Sequence, residues 1–271
     1  MPTNNTKKIL VCYLITSFDH ENSLRNFIEY YRKFPSGIDH ELLICFKQIK
    51  NIQLDSIRSL LIDINYIEFI DDEDFNDFDI GSYKRVANSY SSRLIFFLNG
   101  NSYPNCENWL KMVFDNYVEK SIVGTSASNL SLLSSLKLKK IHKFFSFYLR
   151  LIKYKNNYNS FPNPHIRTNG FLINSDDFSS FIKDIYIRNK EDAWMIESGK
   201  LGLTNYFKSK DYKIYVVNSK GEKFLEKDWK LSETFNYKHQ NKYIISDNQI
   251  RKYLNQSTSE KKILQFKTWG N

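Results

Sequence analysis

The chain has 271 residues, 41% hydrophobic and 25% charged, and its 39 Lys and Arg against 30 Asp and Glu give a formal net charge of +9. That length can bury a sizeable core without covalent staples, as one large α/β domain or two small ones. The three cysteines, Cys12, Cys45 and Cys106, are odd in number and lack C-x-x-C spacing, which argues against a disulfide framework or a zinc site and points to a reducing compartment.

The positive balance predicts attraction to anions: nucleic acid, anionic lipid or a phosphorylated small molecule. No zinc finger, basic zipper or RNP-like aromatic strand accompanies it, so specific nucleic-acid binding is not expected. The first apolar run, about seven residues, is too short to span a bilayer and lacks a signal-peptide cleavage pattern. The expectation is a cytoplasmic protein, with peripheral contact at the inner face of the membrane left open.

In chain order, Ile9 to Ile15 reads as a first strand, with Thr16-Ser17-Phe18-Asp19 at its carboxyl end. Leu24, Phe27, Ile28 and Tyr31 then fall at helical spacing, before Pro35 and Gly37. A second strand, Glu41 to Phe46, ends in Lys47-Gln48 and completes a βαβ unit whose crossover should be right-handed. Residues 52 to 64 predict a helix and Tyr66 to Ile70 a third strand. An acidic turn follows, and Asp79 is placed to cap a helix through Tyr90. As a carboxylate at a helix start it could also accept from a ligand's amide edge.

Leu94 to Leu98 is a dense apolar run that stops abruptly at Asn99-Gly100-Asn101-Ser102. In an α/β sheet a ligand sits beyond the carboxyl end of such a strand, although Asn and Gly are also ordinary turn formers. Residues 107 to 120 read as a helix and 121 to 128 as a strand leading into a small-residue loop. Residues 130 to 155 hold no acid and interleave Lys137, Lys139, Lys140, Lys143, Arg150, Lys153 and Lys155 with Leu, Ile, Phe and Tyr. Such a segment either lies on an anionic membrane surface or covers the sheet with a lysine-rich outer face. His165, Arg167 and Asn169, between a proline turn and an apolar strand, have no evident packing role and suggest phosphate or acceptor binding.

This succession, with Phe96-Phe97-Leu98 leading into the polar tetrad and Gly81, Arg85 and Asn88 in the helix before it, resembles the nucleotide-binding half of GT-A-type glycosyltransferases, family-2-like. Pro162 to Ile173 resembles the acceptor-side segment. Glu191 to Leu203 is similar to the acidic motif from which inverting members draw their base, and residues 233 to 254 resemble bacterial and phage surface-polysaccharide or rhamnose-type transferases. The resemblance implies a single GT-A (Rossmann-like) domain with a mostly parallel central sheet flanked by helices. Residues 1–110 would be the nucleotide-sugar half, 111–225 the acceptor and catalytic half, and 226–271 a C-terminal extension.

The activity it implies is transfer of a sugar from a nucleotide-diphosphate donor, UDP-linked or similar, to a glycan or lipid-linked acceptor, with a carboxylate as base. Glu197 is the first candidate, beside Ser198-Gly199 and before the start of a further helix; Asp192 is the second. Thr16, Ser17, Lys47, Asp79, Arg85, Asn99, Gly100 and Asn101 are assigned to the nucleotide sugar. Asn99 and Asn101 stand where the family has Asp-x-Asp, so Mn2+ or Mg2+ would be held weakly by Asn101, Asn99 and His239, or not at all. In its absence Arg85, His165, Arg167, His239, Lys242 and Arg251 are the cations that could neutralise the diphosphate. His239 and Asp247 could also complete a metal or phosphate site. The alternative reading is a degenerate domain that binds nucleotide or glycan without transfer. A nucleotidyltransferase is disfavoured because no glycine-rich loop follows the first strand.

Overall fold

The computed structural model describes residues 8–19, 21–137, 142 and 144–270. The run ILVCYLIT forms β1 (Ile9–Thr16) and is buried almost end to end, as expected of a strand covered on both faces. It pairs in parallel with β2 (Glu41–Lys47) on one side and β4 (Leu94–Leu98) on the other, and β2 pairs in parallel with β3 (Ile67–Asp71). The crossovers are α1 (Glu21–Lys33), α2 (Asn51–Leu60) and α3 (Phe78–Ser89), with Leu24, Phe27 and Ile28 of α1 packed on the sheet.

After β4 come β5 (Tyr103–Pro104), α4 (Trp109–Asp115), β6 (Ser121–Gly124), β7 (Ala127–Ser128), α5 (Phe144–Asn157), β8 (His165–Ile166) and β9 (Phe171–Asn174). Helices α6 (Ser175–Ile182), α7 (Lys190–Ser198) and α8 (Leu203–Lys208) lead to β10 (Lys213–Val217) and β11 (Lys223–Phe224), then β12 (Ile245–Ser246), α9 (Asn248–Leu254) and α10 (Thr258–Trp269). Among the described residues the main sheet has eight strands in the order β11-β10-β6-β9-β4-β1-β2-β3. The α/β class, with a large, mostly parallel sheet flanked by helices, is the one expected.

Two features carry chain from the second half to the carboxyl edge of β1, β2 and β4. β9 is antiparallel to both β4 and β6, with Phe97 opposite Phe171, so it begins where its neighbours end. Thr168, Asn169 and Gly170 therefore arrive beside Asn99. β12 then pairs with β5, Ile245 opposite Pro104, and brings Asp247 and Arg251 against the loop that follows β4.

Several expected elements differ. The predicted helix at 107–120 spans only Trp109–Asp115, because Asn108 takes a left-handed conformation (φ 57°) before it and Asn116 caps its end. In 121–128 the expected strand is β6 of the main sheet, and the small-residue stretch expected as a loop holds a second short strand, β7, paired with β8. Asp79 does not cap α3; the cap position is Asp77, and Asp79 sits in the first turn. Of the basic stretch at 130–155, Lys139, Lys140 and Lys143 lie outside the described residues.

Candidate active site

β4 stops level with Tyr13, and the buried Tyr13 hydroxyl donates to Gly100 O at 2.8 Å, tethering the Asn-Gly-Asn turn across the end of β1. Beneath that turn is a cleft of about 330 Å³ lined by Thr16, Phe18, Asp19, Lys47, Asn76, Phe78, Asp79, Asn99, Gly100 and Asn101. Thr16, Lys47, Asp79, Asn99, Gly100 and Asn101 of the sequence-derived set thus share one cavity. Ser17 is exposed and does not line it; its backbone N–H donates to Lys47 O.

Asp19, missed by sequence reasoning, organises one wall. Its carboxylate accepts from Thr16 N (2.9 Å), Thr16 Oγ1 (2.9 Å) and Asn101 Nδ2 (3.1 Å). A Cβ on Gly100 would lie 2.4 Å from Asp19 Oδ2, so glycine is what lets the turn approach this carboxylate. An acid three residues beyond the first strand, at the edge where ligands bind, was the available signal. Asn99 organises the other wall: its Nδ2 donates to Asp79 Oδ2 (3.3 Å), and its Oδ1 accepts from Asn101 N (3.2 Å) and Ser102 Oγ (2.7 Å).

Asp79 opens to the cleft but is otherwise enclosed by protein. Desolvation foremost, with the charges of Asp19 and Glu197, raises its pKa to about 6 against the opposing Asn99 bond and Lys47 charge. An acid whose pKa is raised on folding binds its proton more tightly in the native state, so it lowers stability as pH rises from 3.8 to about 6. Asp79→Asn removes that slope. Urea titrations should show the variant gaining on the wild type between about pH 4 and 7 by a few kcal/mol at most, and a constant difference would contradict the assignment.

Two cations of the set expected at the nucleotide sugar, Lys47 and Arg85, are paired within the protein. Lys47 Nζ bonds Asp77 Oδ1 and Phe78 O, the latter at 2.8 Å. Arg85 reaches Asp71 through Nε (2.5 Å) and Nη2 (2.7 Å), and Asp77 through Nη1 (2.6 Å). Burial alone would raise Asp77, but bonds and charge from Arg85 and Lys47 hold it below the usual carboxylate range. Arg85 therefore belongs to a closed ion-pair cluster and does not line the cleft.

Asn169 and Asp247 link the halves. Asn99 N donates to Asn169 Oδ1 (3.1 Å), and Asn169 Nδ2 donates to Ser102 Oγ (2.7 Å) and Asp247 Oδ2 (3.2 Å). Asp247 also accepts from Arg167 Nη1 (2.6 Å) and caps α9 through Gln249 N and Ile250 N. Burial is outweighed by the Arg167 charge and these bonds, which hold its carboxyl low. Asp247 is thus a structural anchor, and Arg167, stacked 4.2 Å from the Phe235 ring centroid, is already neutralised. Lys242 pairs with Glu233. Arg251 has no carboxylate partner among the described residues; it donates to Asn101 O (3.1 Å) and lies over the Tyr103 ring.

The two candidate bases part company. Asp192 accepts from Arg188 N (2.8 Å) and Asn189 N (3.2 Å) in the capping box that starts α7. Glu197, expected just before a helix start, lies instead in the last turn of α7; the chain leaves at Gly199, where a Cβ would meet Met195 O at 2.4 Å, and α8 begins only at Leu203. A carboxylate there opposes the helix dipole. Thr168 N donates to Glu197 Oε1 at 3.1 Å, and Oε2 has no hydrogen-bond partner among the described residues. His165 is buried, its Nδ1 is 2.8 Å from Asn163 O, and desolvation lowers its pKa against the opposing charge of Glu197.

A divalent cation, which the family resemblance implies, finds no Asp-x-Asp equivalent in the turn. Asn99 Oδ1 already accepts two bonds within the loop, and His239 is exposed with no described bond to the cleft. Among the described residues no three His, Cys, Asp or Glu are grouped to hold a metal. Asp19 and Asp79 are the two carboxylates that line the cleft, and carboxylate oxygens are the donor type a hard divalent cation takes.

No protein-family model matches the chain, and no curated protein sequence matches it. Among solved structures it is similar to 4-diphosphocytidyl-2C-methyl-D-erythritol synthase from Anaerococcus prevotii, at 11% identity over 78% of this chain and 86% of that one, with a TM-score of 0.44. A nucleotidyl transferase from Methanothermobacter is 8% identical over 75% and 96%, TM-score 0.41. The mannosyltransferase Ktr4p from S. cerevisiae is 12% identical over 72% and 64%, TM-score 0.39. At these identities and scores the likenesses define neither donor nor reaction.

Proposed function

We propose that the chain is a GT-A-type glycosyltransferase that moves a sugar from a nucleotide-diphosphate donor to a hydroxyl of a glycan or lipid-linked acceptor, with Glu197 as general base. One observation carries this: neighbouring residues of a single strand entry hold both halves of the site. Thr168 N fixes Glu197, and Asn169 Oδ1 fixes Asn99 at the rim of the cleft. A base and a donor pocket are thereby set side by side, as an in-line displacement requires.

In this reading the nucleoside lies against Thr16, Phe18 and Asn76, and the diphosphate lies under Asn-Gly-Asn with Arg251 at its edge. Glu197 Oε2 takes the proton of the acceptor hydroxyl as its oxygen attacks the anomeric carbon, and the bond from that carbon to the diphosphate oxygen breaks. Inversion at that carbon follows from a single displacement. A divalent cation held by Asp19 and Asp79 would offset the charge of the departing diphosphate.

Calorimetric titration with UDP and with GDP, with and without Mn2+, tests the binding half. The expected result is binding strengthened by Mn2+ in the wild type and in Asn99→Ala, with the Mn2+ effect lost in Asp19→Asn. Equal Mn2+ dependence in Asp19→Asn and the wild type would remove Asp19 from the cation site. No heat with any nucleotide would remove the nucleotide pocket itself.

A further inference from the structure

We infer that α5 is a membrane-docking helix that lies in the plane of an anionic lipid surface. Residues 120–175 contain nine Lys and Arg and no Asp or Glu, so the remainder of the chain balances at 30 against 30 and the whole +9 resides in this stretch. Within it, Phe144, Phe145, Tyr148, Leu149 and Ile152 are 61%, 73%, 51%, 53% and 43% exposed. Their spacing places all five on one stripe of the helix.

The opposite stripe is the one that holds α5 to the protein. Tyr154 is buried, Lys153 Nζ is 2.6 Å from Glu191 Oε2, Arg150 Nη2 is 3.2 Å from Glu191 Oε1, and Lys200 N donates to Asn157 O at 2.8 Å. These contacts fix the rotation of α5, so the apolar stripe cannot turn inward. The outer face is therefore apolar, where a lysine-rich one was the sequence alternative. Five large apolar side chains held toward water are a binding surface rather than a scatter of exposed hydrophobics.

The excess of cations selects the occupant. A helix with an apolar stripe and flanking Lys and Arg seats its rings at the boundary between headgroups and acyl chains while the cations meet anionic headgroups. No described helix is long and apolar enough to cross a bilayer. The 14 residues of α5 reach only about 21 Å, short of the roughly 30 Å hydrocarbon core, so the helix lies on the surface. Glu191 belongs to α7, which also carries Glu197, so docking α5 would hold the helix that bears the proposed base next to the lipid surface. That last consequence rests on the proposed transferase reading, and the docking itself does not.

Co-sedimentation of the full chain with vesicles separates the two. With vesicles of phosphatidylcholine and roughly one-third phosphatidylglycerol, the protein should sediment at about 0.05 M salt and be released at about 0.5 M, and pure phosphatidylcholine should recover little. The double variant Phe145→Ser, Leu149→Ser should keep its thermal midpoint and lose about tenfold or more of its partitioning. Equal sedimentation with neutral vesicles, or unchanged partitioning of the variant, would overturn the inference. So would a stable dimer in solution that the double variant disperses and that ignores vesicles, because the stripe would then be covered by a second copy. Vesicle binding without any sugar transfer would leave docking intact and count only against the transferase reading.

Discussion

Glu197→Gln should lower sugar transfer by about a hundredfold to ten-thousandfold while nucleotide affinity stays unchanged, as expected for loss of a general base. The substitution keeps the Oε1 that accepts from Thr168 N, so the side chain stays in place. What it removes is the basicity of Oε2. The residue sits where the end of a helix disfavours negative charge, and a neutral amide should therefore leave folding stability equal or slightly raised. Asp192→Asn should do the reverse: transfer is retained, and about 1 kcal/mol of stability is lost because the carboxylate accepts from Arg188 N and Asn189 N at the start of α7. Full transfer activity in Glu197→Gln would reject it as the base. A comparable loss in Asp192→Asn would reject the distinction between the two.

The largest effect on stability is expected at Asp77. Lys47 is 1% exposed and its ammonium bonds the Asp77 carboxylate, which also accepts from Arg85 Nη1 and Nη2. Asp77→Asn leaves the Lys47 ammonium with no carboxylate partner among the described residues, while Arg85 keeps Asp71, and breaking a buried pair from one side typically costs about 3–5 kcal/mol. Removing Lys47 as well, in Lys47→Met with Asp77→Asn, should recover part of that loss. The pH dependence has a definite sign. The pKa of Asp77 is depressed on folding, so its contribution is present above the ordinary Asp range and is lost as pH falls through the depressed value. The deficit of Asp77→Asn in urea unfolding should therefore be full at neutral pH and shrink in acid. A neutral-pH deficit below about 1 kcal/mol would mean that water reaches Lys47 and that the pair is no more than a surface contact.

How much of this was legible depends on the range of the interaction that fixes each element. β1 to β4 and the helices between them could be read directly, because a strand covered on both faces must be a continuous apolar run and a covering helix must show one apolar stripe. The insertion of β9 against the direction of β4 was not legible. FLIN is as compatible with a parallel as with an antiparallel neighbour, and only pairing across more than seventy residues decides it. That single reversal brings Thr168 and Asn169 to the cleft.

The cleft residues at strand ends could be found because topology alone puts them at one edge. Asp19 and Asp77 could not be ranked. One is an acid in a loop and the other stands among five similar neighbours, and what distinguishes them is a glycine 81 residues later for Asp19 and a buried lysine 30 residues earlier for Asp77. Charge misled in the same way. Arg85 and Arg167 look available in sequence, yet each is matched by a carboxylate that folding brings to it.

The most direct measurement is the release of nucleoside diphosphate from UDP- and GDP-linked sugars by the purified chain, with Mn2+ present and with Glu197→Gln run in parallel. Release from at least one donor, falling about a hundredfold or more in the variant, is the predicted result. Tight nucleotide binding with no release from any donor, or release that is the same in Glu197→Gln, would contradict it.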